Sequence, residues 1–442
     1  MNSLITVDYG ISDWQIIPRK NNSASVVIGG RYEVKPHNEI YVRVIFENSG
    51  VPVTSWIKCD LIGDCEWRVV LNDLPEGGMY KLETINRTSD SQWIENGCRG
   101  QVVSNFGVGD IFFIAGQSNA AGTGLGTGED SPMIGISNFK ENTRWELATH
   151  PLKDRHSPFI AFAKKIYNQT GIPVGLCDFA VGGVPISQWV PQLDGKLYNQ
   201  MVEVAKNNNI FPRAILFYQG CSDATEECGK YKQWLERFIE NVRNDFKNEK
   251  LPVYTFQLNG HMDCREDWKV HDLHWDTVRE SQRQVAKDYD NVFIIPTIDA
   301  VMSDGIHNSR SANIMLGERL ANYVLKYTYN KGGFAIAPEL ESIFLTSSST
   351  LNIKFKNVYS MIMTYHADGK HLPIKIRDDD GLIDIESFEE CFDTIKIQLA
   401  RNTKGMVYVS CQTGARNKRY IQDLGTNIPT LTFFDVQAVS YN

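Results

Sequence analysis

Hydrophobic and polar positions change their period twice along the 442 residues. Over the first hundred, apolar and polar residues alternate in short runs at 25–29, 39–46, 67–71 and 80–85, separated by turn-forming stretches at 61–64 and 74–78. Alternation at period two puts one side of each run on a core, and no helical stripe exceeds two turns, so the pattern predicts a small β-sandwich. From Asp110 to about Tyr329 the runs become continuously apolar, at 111–115, 173–179, 214–218, 253–258 and 292–295. Strands apolar on both faces belong to a parallel sheet covered by helices. Helical stripes lie between them. Phe159, Phe162, Ala163, Ile166 and Tyr167 follow a Ser157–Pro158 start and stop at Gly171. Tyr231, Trp234, Leu235, Phe238, Ile239 and Val242 trace a second stripe, read as core contacts. Beyond about Ala335 short β runs return, at 342–345, 351–355, 395–399 and 406–410.

A single core usually stops growing near about 250–300 residues, and the pattern divides accordingly. Residues 1–105 are expected to form a β-sandwich-like domain, 106–330 an α/β domain with a five-stranded parallel sheet between two helical layers, and 331–442 a C-terminal β domain.

Composition narrows the functions. The net charge of −8 comes with no basic cluster, which removes the electrostatic case for nucleic acid or an anionic membrane as partner. The longest apolar runs, such as 111–115 and 294–296, are too short to span a bilayer. The start, MNSLITVDYGISDWQ, lacks a basic segment followed by an apolar one. Nine cysteines have no framework spacing, and the close pairs Cys59/Cys65 and Cys221/Cys228 are not CxxC. Reduced thiols in a cytoplasmic protein are the expectation, although a secreted or periplasmic mature form would read the same.

In open parallel sheets ligands bind beyond the carboxyl ends of the strands. Here those ends carry Gly116-Gln117-Ser118-Asn119, then Val181-Gly182-Gly183-Val184-Pro185, Gln219-Gly220-Cys221-Ser222-Asp223 and, after the fifth run, Asp304-Gly305-Ile306-His307. A serine, an aspartate, a histidine and several hydrogen-bond donors thus reach one edge from separate loops. Serine needs a base within hydrogen-bond reach, and an imidazole, with an ordinary pKa of about 6.5, suits that task. His307 is the candidate base. Asp304, three residues earlier in a glycine-containing turn, is placed to orient it. His261, Asp263, Cys264, His271, Asp272 and His274 crowd the loop after the fourth run, but match no ordinary zinc spacing, so a polar loop without metal is expected. The glycine-rich 122–128 run lacks the Lys-Ser/Thr of a phosphate loop.

The blocks GQSN at 116–119, GGVPISQW at 182–189, YQGCSDA at 218–224 and DGIH at 304–307 resemble the ordered blocks of SGNH/GDSL-type hydrolases. The likeness is greatest to the carbohydrate acetylesterase branch that includes sialate O-acetylesterases and acetylxylan esterases, and it is strong from Gly109 to about Tyr327. WDTVRESQ at 275–282 is similar to the helix that branch carries before its last block. The resemblance implies a flavodoxin-like three-layer fold with no cofactor and no metal. It makes Ser118 the nucleophile, Asp304 and His307 its partners, and the Ser118 and Gly183 amides with the Gln219 side chain the oxyanion hole; Gly182 is the alternative to Gly183. The substrate implied is an acetylated carbohydrate. Asn119, Trp189, His261 and Trp275, at or beside the edge, are the candidate substrate contacts. One departure stands out: the family usually has Glu where this chain has Cys221, with Asp223 or Glu226 as possible replacements. That change favours the alternative reading, a non-catalytic carbohydrate-binding protein. An acyltransferase is a third reading, and within the catalytic one the glycan remains open between sialate, xylan and others.

Overall fold

The computed structural model describes residues 5–33, 38–88, 93–128, 130–141, 143–261, 268–364, 372–414 and 420–440. At its centre lie β1 (Val103–Gly116), β2 (Ile136–Lys140), β3 (Arg144–Leu147), β4 (Val174–Asp178), β5 (Ala214–Tyr218), β6 (Val253–Phe256) and β7 (Val292–Ile295). They form one sheet in the order β3-β2-β4-β1-β5-β6-β7, parallel throughout except for β3, which runs antiparallel to β2. All five apolar runs are strands of this sheet. The sheet nevertheless exceeds the expected five, because β2 adds a sixth parallel strand and β3 an antiparallel edge. Their sequences hid them: β2 reads ISNFK, and its buried Ser137 and Asn138 interrupt what would otherwise be an apolar run.

Helices cover both faces: α1 (Ser118–Ala121), α2 (Phe159–Thr170), α3 (Lys196–Asn207), α4 (Tyr231–Asp245), α5 (Trp268–Asp288) and α6 (Arg310–Tyr327). Alternate residues of β1 feed two cores. Phe113 and Ala115 join Tyr198, Leu235, Phe238 and Val278 of α3, α4 and α5, while Phe112 and Ile114 join Phe162, Ile166, Leu316 and Leu320 of α2 and α6. Helix α2 begins one residue later than its sequence suggests. Pro158 is the N-cap and no side-chain cap bond forms, so Ser157 is not a capping residue; Gly171, at φ +72°, closes the helix as expected.

Strand β1 does double duty. Its first half pairs with Ile16–Pro18 and with Gly77–Thr88, and its second half with β4 and β5. The expected boundary at residue 105/106 therefore falls inside one continuous strand. Before it, the strands Ser23–Arg31 and Glu66–Pro75 share a core, including Ile28, Trp67 and Leu71, with Asn38–Phe46 and Gly77–Thr88 through Val42, Val44 and Leu82. A separate C-terminal core, including Ile353, Phe355, Ile397 and Val409, is built from Glu339–Ser347, Thr350–Lys356, Thr394–Leu399 and Tyr408–Cys411, close to the runs read from sequence. Among the described residues, no helix is long and apolar enough to cross a membrane.

Candidate functional site

The carboxyl edge of the sheet gathers the loops that the sequence singles out. Strand β1 ends at Gly116, whose φ of +130° and position against β5 require glycine: a Cβ would lie 2.2 Å from Tyr218 O. The chain turns there into α1, which presents Ser118 at its first position. His307 Nε2 lies 2.9 Å from Ser118 Oγ, and His307 Nδ1 2.7 Å from Asp304 Oδ2. The other carboxylate oxygen, Asp304 Oδ1, accepts from the Ile306 and His307 amides at 2.9 Å each. Burial pushes the Asp304 carboxyl up, but the hydrogen bonds from Ile306, from the His307 ring and from the His307 amide outweigh it, leaving it below the usual carboxylate value. Asp304 thus stays ionised at neutral pH and can hold the Nδ1–H tautomer, which leaves Nε2 free to face the serine.

Asparagine clamps fix this loop. Asn119 Nδ2 donates to Ile306 O (3.1 Å) and Asn119 Oδ1 accepts from Asn308 N (3.0 Å), tying α1 to both sides of His307. Asn259, just past β6, donates to Ile306 O and to Asn308 Oδ1. Asn119 is therefore not a substrate contact, since its buried amide is taken up by backbone. The two tryptophans depart from expectation for a related reason. Trp189 is 0% exposed and packs edge-on against Phe217 and Phe238 in the core. Trp275 is 1% exposed and donates to Asn259 O. Neither ring offers a face to a sugar. His261 is buried too, with Nε2 2.8 Å from Asp272 Oδ1, and burial pushes it below the ordinary imidazole value against the pull of Asp272. Asp263 and Cys264 of the same loop lie outside the described residues.

The Gln219 loop is built differently from its sequence reading. Gln219 Nε2 donates to Asp223 Oδ2, and lies 3.3 Å from Val184 O and 3.4 Å from Gln117 Oε1. Those acceptors occupy the amide hydrogens that an oxyanion donor would need free. Asp223 also accepts from Ile186 N at 3.0 Å, so it joins the Gln219 loop to the glycine loop after β4. Asp223 thus braces the Gln219 loop, whereas Glu226 is exposed. Gln117, unassigned by sequence reasoning although it sits inside GQSN, accepts from Gly220 N and Ser222 N at 3.1 and 3.2 Å. Cys221 is no substitute nucleophile, since burial pushes its thiol up to about 12. Gly183 has φ +74°, and an added Cβ on Gly182 would lie 3.9 Å from Ser118 Cβ, so the glycine loop passes directly over the serine. No hydrogen bond to another described residue engages the Ser118, Gly182 or Gly183 amides.

Two polar groupings beside the site are structural in character. Asp130, His150 and His156 bring ligand-type atoms within 4.8 Å of one another. Yet the two imidazoles stack almost parallel (3.9 Å, 24°), Lys164 holds Asp130 at 3.1 Å, and Arg310 adds a second positive charge. Lone pairs that do not converge and two neighbouring cations disfavour a dication, and burial pushes His156 down to about 4, which keeps that ring neutral at pH 7. At the end of β4, burial pushes Asp178 up to about 7; its Oδ1 accepts from Ala180 N and its Oδ2 has no partner among the described residues. A folded-state pKa raised above the unfolded one means that the native protein binds the extra proton, so stability falls as pH rises from about 4 to about 7. Asp178→Asn should accordingly raise Tm more at about pH 8.5 than at about pH 5, measured by thermal melts; an equal gain at both would contradict the buried charge.

Residues 108–326 match the family described as "Carbohydrate esterase, sialic acid-specific acetylesterase". The fold resembles that of a carbohydrate acetylesterase from Xanthomonas citri, with 19% identity, a TM-score of 0.71, and 99% of this chain and 100% of that one covered. A protein from Arabidopsis thaliana is 26% identical over 50% of this chain and 98% of its own, with a TM-score of 0.44. A carbohydrate acetylesterase from Sinorhizobium meliloti is 14% identical over 49% and 98%, with a TM-score of 0.34. No curated protein sequence matches the chain.

Proposed function

Through residues 108–326 the chain belongs to a carbohydrate acetylesterase family, and from that premise we propose that it releases acetate from O-acetylated sugars, sialate among them, by a Ser118–His307–Asp304 acyl-enzyme mechanism. The observation that carries the reading is the continuous pair of short contacts from Asp304 through His307 to Ser118 Oγ. The family and the mechanism are separate inferences: the first rests on sequence, the second on this geometry within an SGNH-type arrangement of loops.

In the first half-reaction Ser118 Oγ attacks the acetyl carbonyl while its proton passes to His307 Nε2. The carbonyl π electrons move onto oxygen, and the Ser118 and Gly183 amides, at the turn into α1 and in the glycine loop, are the donors that face it. Collapse breaks the bond to the sugar oxygen, which takes the proton from His307 and leaves as an alcohol. Water then enters, gives a proton to His307 and attacks the acetyl ester; acetate departs and Ser118 recovers its proton. Asp304 remains a carboxylate throughout and stabilises the imidazolium.

Gln219 serves this site as a brace. Gln219→Ala and Asp223→Ala should then both lower kcat, and the double variant should cost clearly less than the product of the two, because each removes the bond they share. Additive losses, or a far larger loss for Gln219→Ala, would restore Gln219 as a direct oxyanion donor. Acetate release from acetylated sialic acid, acetylated xylooligosaccharides and acetylated hexoses tests the substrate class; no release from any of them removes the esterase reading.

A further inference from the structure

We infer that the C-terminal β region is a working part of the hydrolytic site, holding the His307 loop through the buried pair Asp276–Arg279 and through Asn259. The inference rests on the reading of Ser118 and His307 given above.

Asn259 touches the loop on both sides of His307, donating to Ile306 O at 3.1 Å and to Asn308 Oδ1 at 2.7 Å. Asn259 lies beyond the end of β6, and side chains of α5 hold it there. Arg279 Nε donates to Leu258 O (2.9 Å), Arg279 Nη2 and Trp275 Nε1 donate to Asn259 O, and Gln282 Oε1 accepts from Leu258 N (2.9 Å). Arg279 is 1% exposed. A guanidinium taken so far from water persists only where its donors are matched, and the rest of its fork turns toward the C-terminal region. Nη1 donates to Asp276 Oδ1 at 3.0 Å and reaches Gly414 O at 3.4 Å, while Gly414 N donates back to both Asp276 oxygens at 3.1 and 2.9 Å. Two further buried ties lie alongside. The Gln257 amide exchanges two bonds of 2.9 Å with the Thr432 backbone, and Phe434 N donates to Glu280 Oε2 at 3.2 Å.

A tethered carbohydrate-binding module would meet its neighbour through a wet, separable surface. Here one arginine is shared among the end of β6, helix α5 and the C-terminal chain, so the position of Gly414 is transmitted through a rigid fork to Asn259 and thence to His307. Arg279 and Asn259 are positioning residues, since neither touches Ser118. Lysine cannot replace the fork, because a single ammonium does not span Leu258 O, Asn259 O and Asp276. A misplacement of about 1 Å at a reacting group costs on the order of 10²-fold in rate.

The test follows Ser118 directly, as the rate of labelling by a fluorophosphonate in the full chain well below each variant's Tm, together with kcat and KM for an acetylated sugar. Arg279→Lys and Asn259→Ala should slow labelling and lower kcat by roughly 10- to 100-fold with KM nearly unchanged. Gly414→Ala, strained at φ +80° and with its Cβ 3.1 Å from Asp272 Oδ2, should act in the same direction from the C-terminal side. Arg401→Ala, which breaks the bidentate pair with Asp378 in the C-terminal region, is the control: it should lower Tm and leave labelling unchanged. Wild-type labelling rates in folded Asn259→Ala and Gly414→Ala would overturn the inference even if Arg279→Lys fails to fold, and so would equal slowing in Arg401→Ala. Failure of wild-type protein to be labelled at Ser118 would instead remove the underlying mechanism.

Discussion

Ser118→Ala is expected to reduce acetate release by roughly 10⁴- to 10⁶-fold, as loss of the nucleophile does where a serine and a histidine act as one unit. The protein should stay folded. Among the described residues Ser118 Oγ bonds to His307 alone, and the side chain sits at the first turn of a short helix where alanine is well tolerated. Circular dichroism and a melt within a few degrees of wild type would establish the fold, and a serine-directed fluorophosphonate should label wild type and spare the variant. Turnover within tenfold of wild type would mean that another group performs the attack. Cys221 is the alternative in the loop after β5, and its half-buried thiol, pushed up to about 12, makes it a poor one.

Asp304→Asn should have the next largest effect, a fall in kcat of about 10⁴-fold with little change in KM. The asparagine oxygen can still accept from the Ile306 and His307 amides, so the turn survives. Its nitrogen then faces His307 Nδ1, which must accept rather than donate; the proton moves to Nε2, and the base is lost. Hydrogen bonds hold the Asp304 carboxyl below its ordinary pKa, so its contribution is fully present above the unfolded value and disappears only as pH falls through the depressed one. The deficit of the variant should therefore be nearly constant from about pH 6 to about pH 8. A deficit that closes across that window would show that Asp304 titrates there and is held differently.

The sequence exposed the parts of the site that depend on backbone direction. Continuous apolar runs located five parallel strands, and since their carboxyl ends share an edge, Ser118, Gly183, Gln219 and His307 had to converge. Side-chain direction was harder to see. Trp189 and Trp275 follow strands and so read as surface aromatics, yet each turns inward because a large ring gains more from a dry core than from an empty sugar face. Gln219 and Asp223 carry the right chemistry for an oxyanion donor and a brace, but only the fold shows that they bond to each other. Strand β2 was missed because Ser137 and Asn138 are buried polar residues, which periodicity counts as surface. Arg279 and Gln282 left one trace, a charged and an amide residue on the otherwise apolar side of α5, and an arginine there reads as solvated until its four acceptors are known.

A covalent acetyl-serine is the intermediate that this mechanism cannot do without. Rapid-quench digestion of the enzyme turning over an acetylated sugar, read by mass spectrometry, is the most direct measurement. The mechanism predicts a transient acetyl group on the peptide containing Ser118, formed and lost at rates compatible with kcat and absent in Ser118→Ala. Acetate released at the full rate with no adduct at any time, or with the adduct on a different residue, would contradict it.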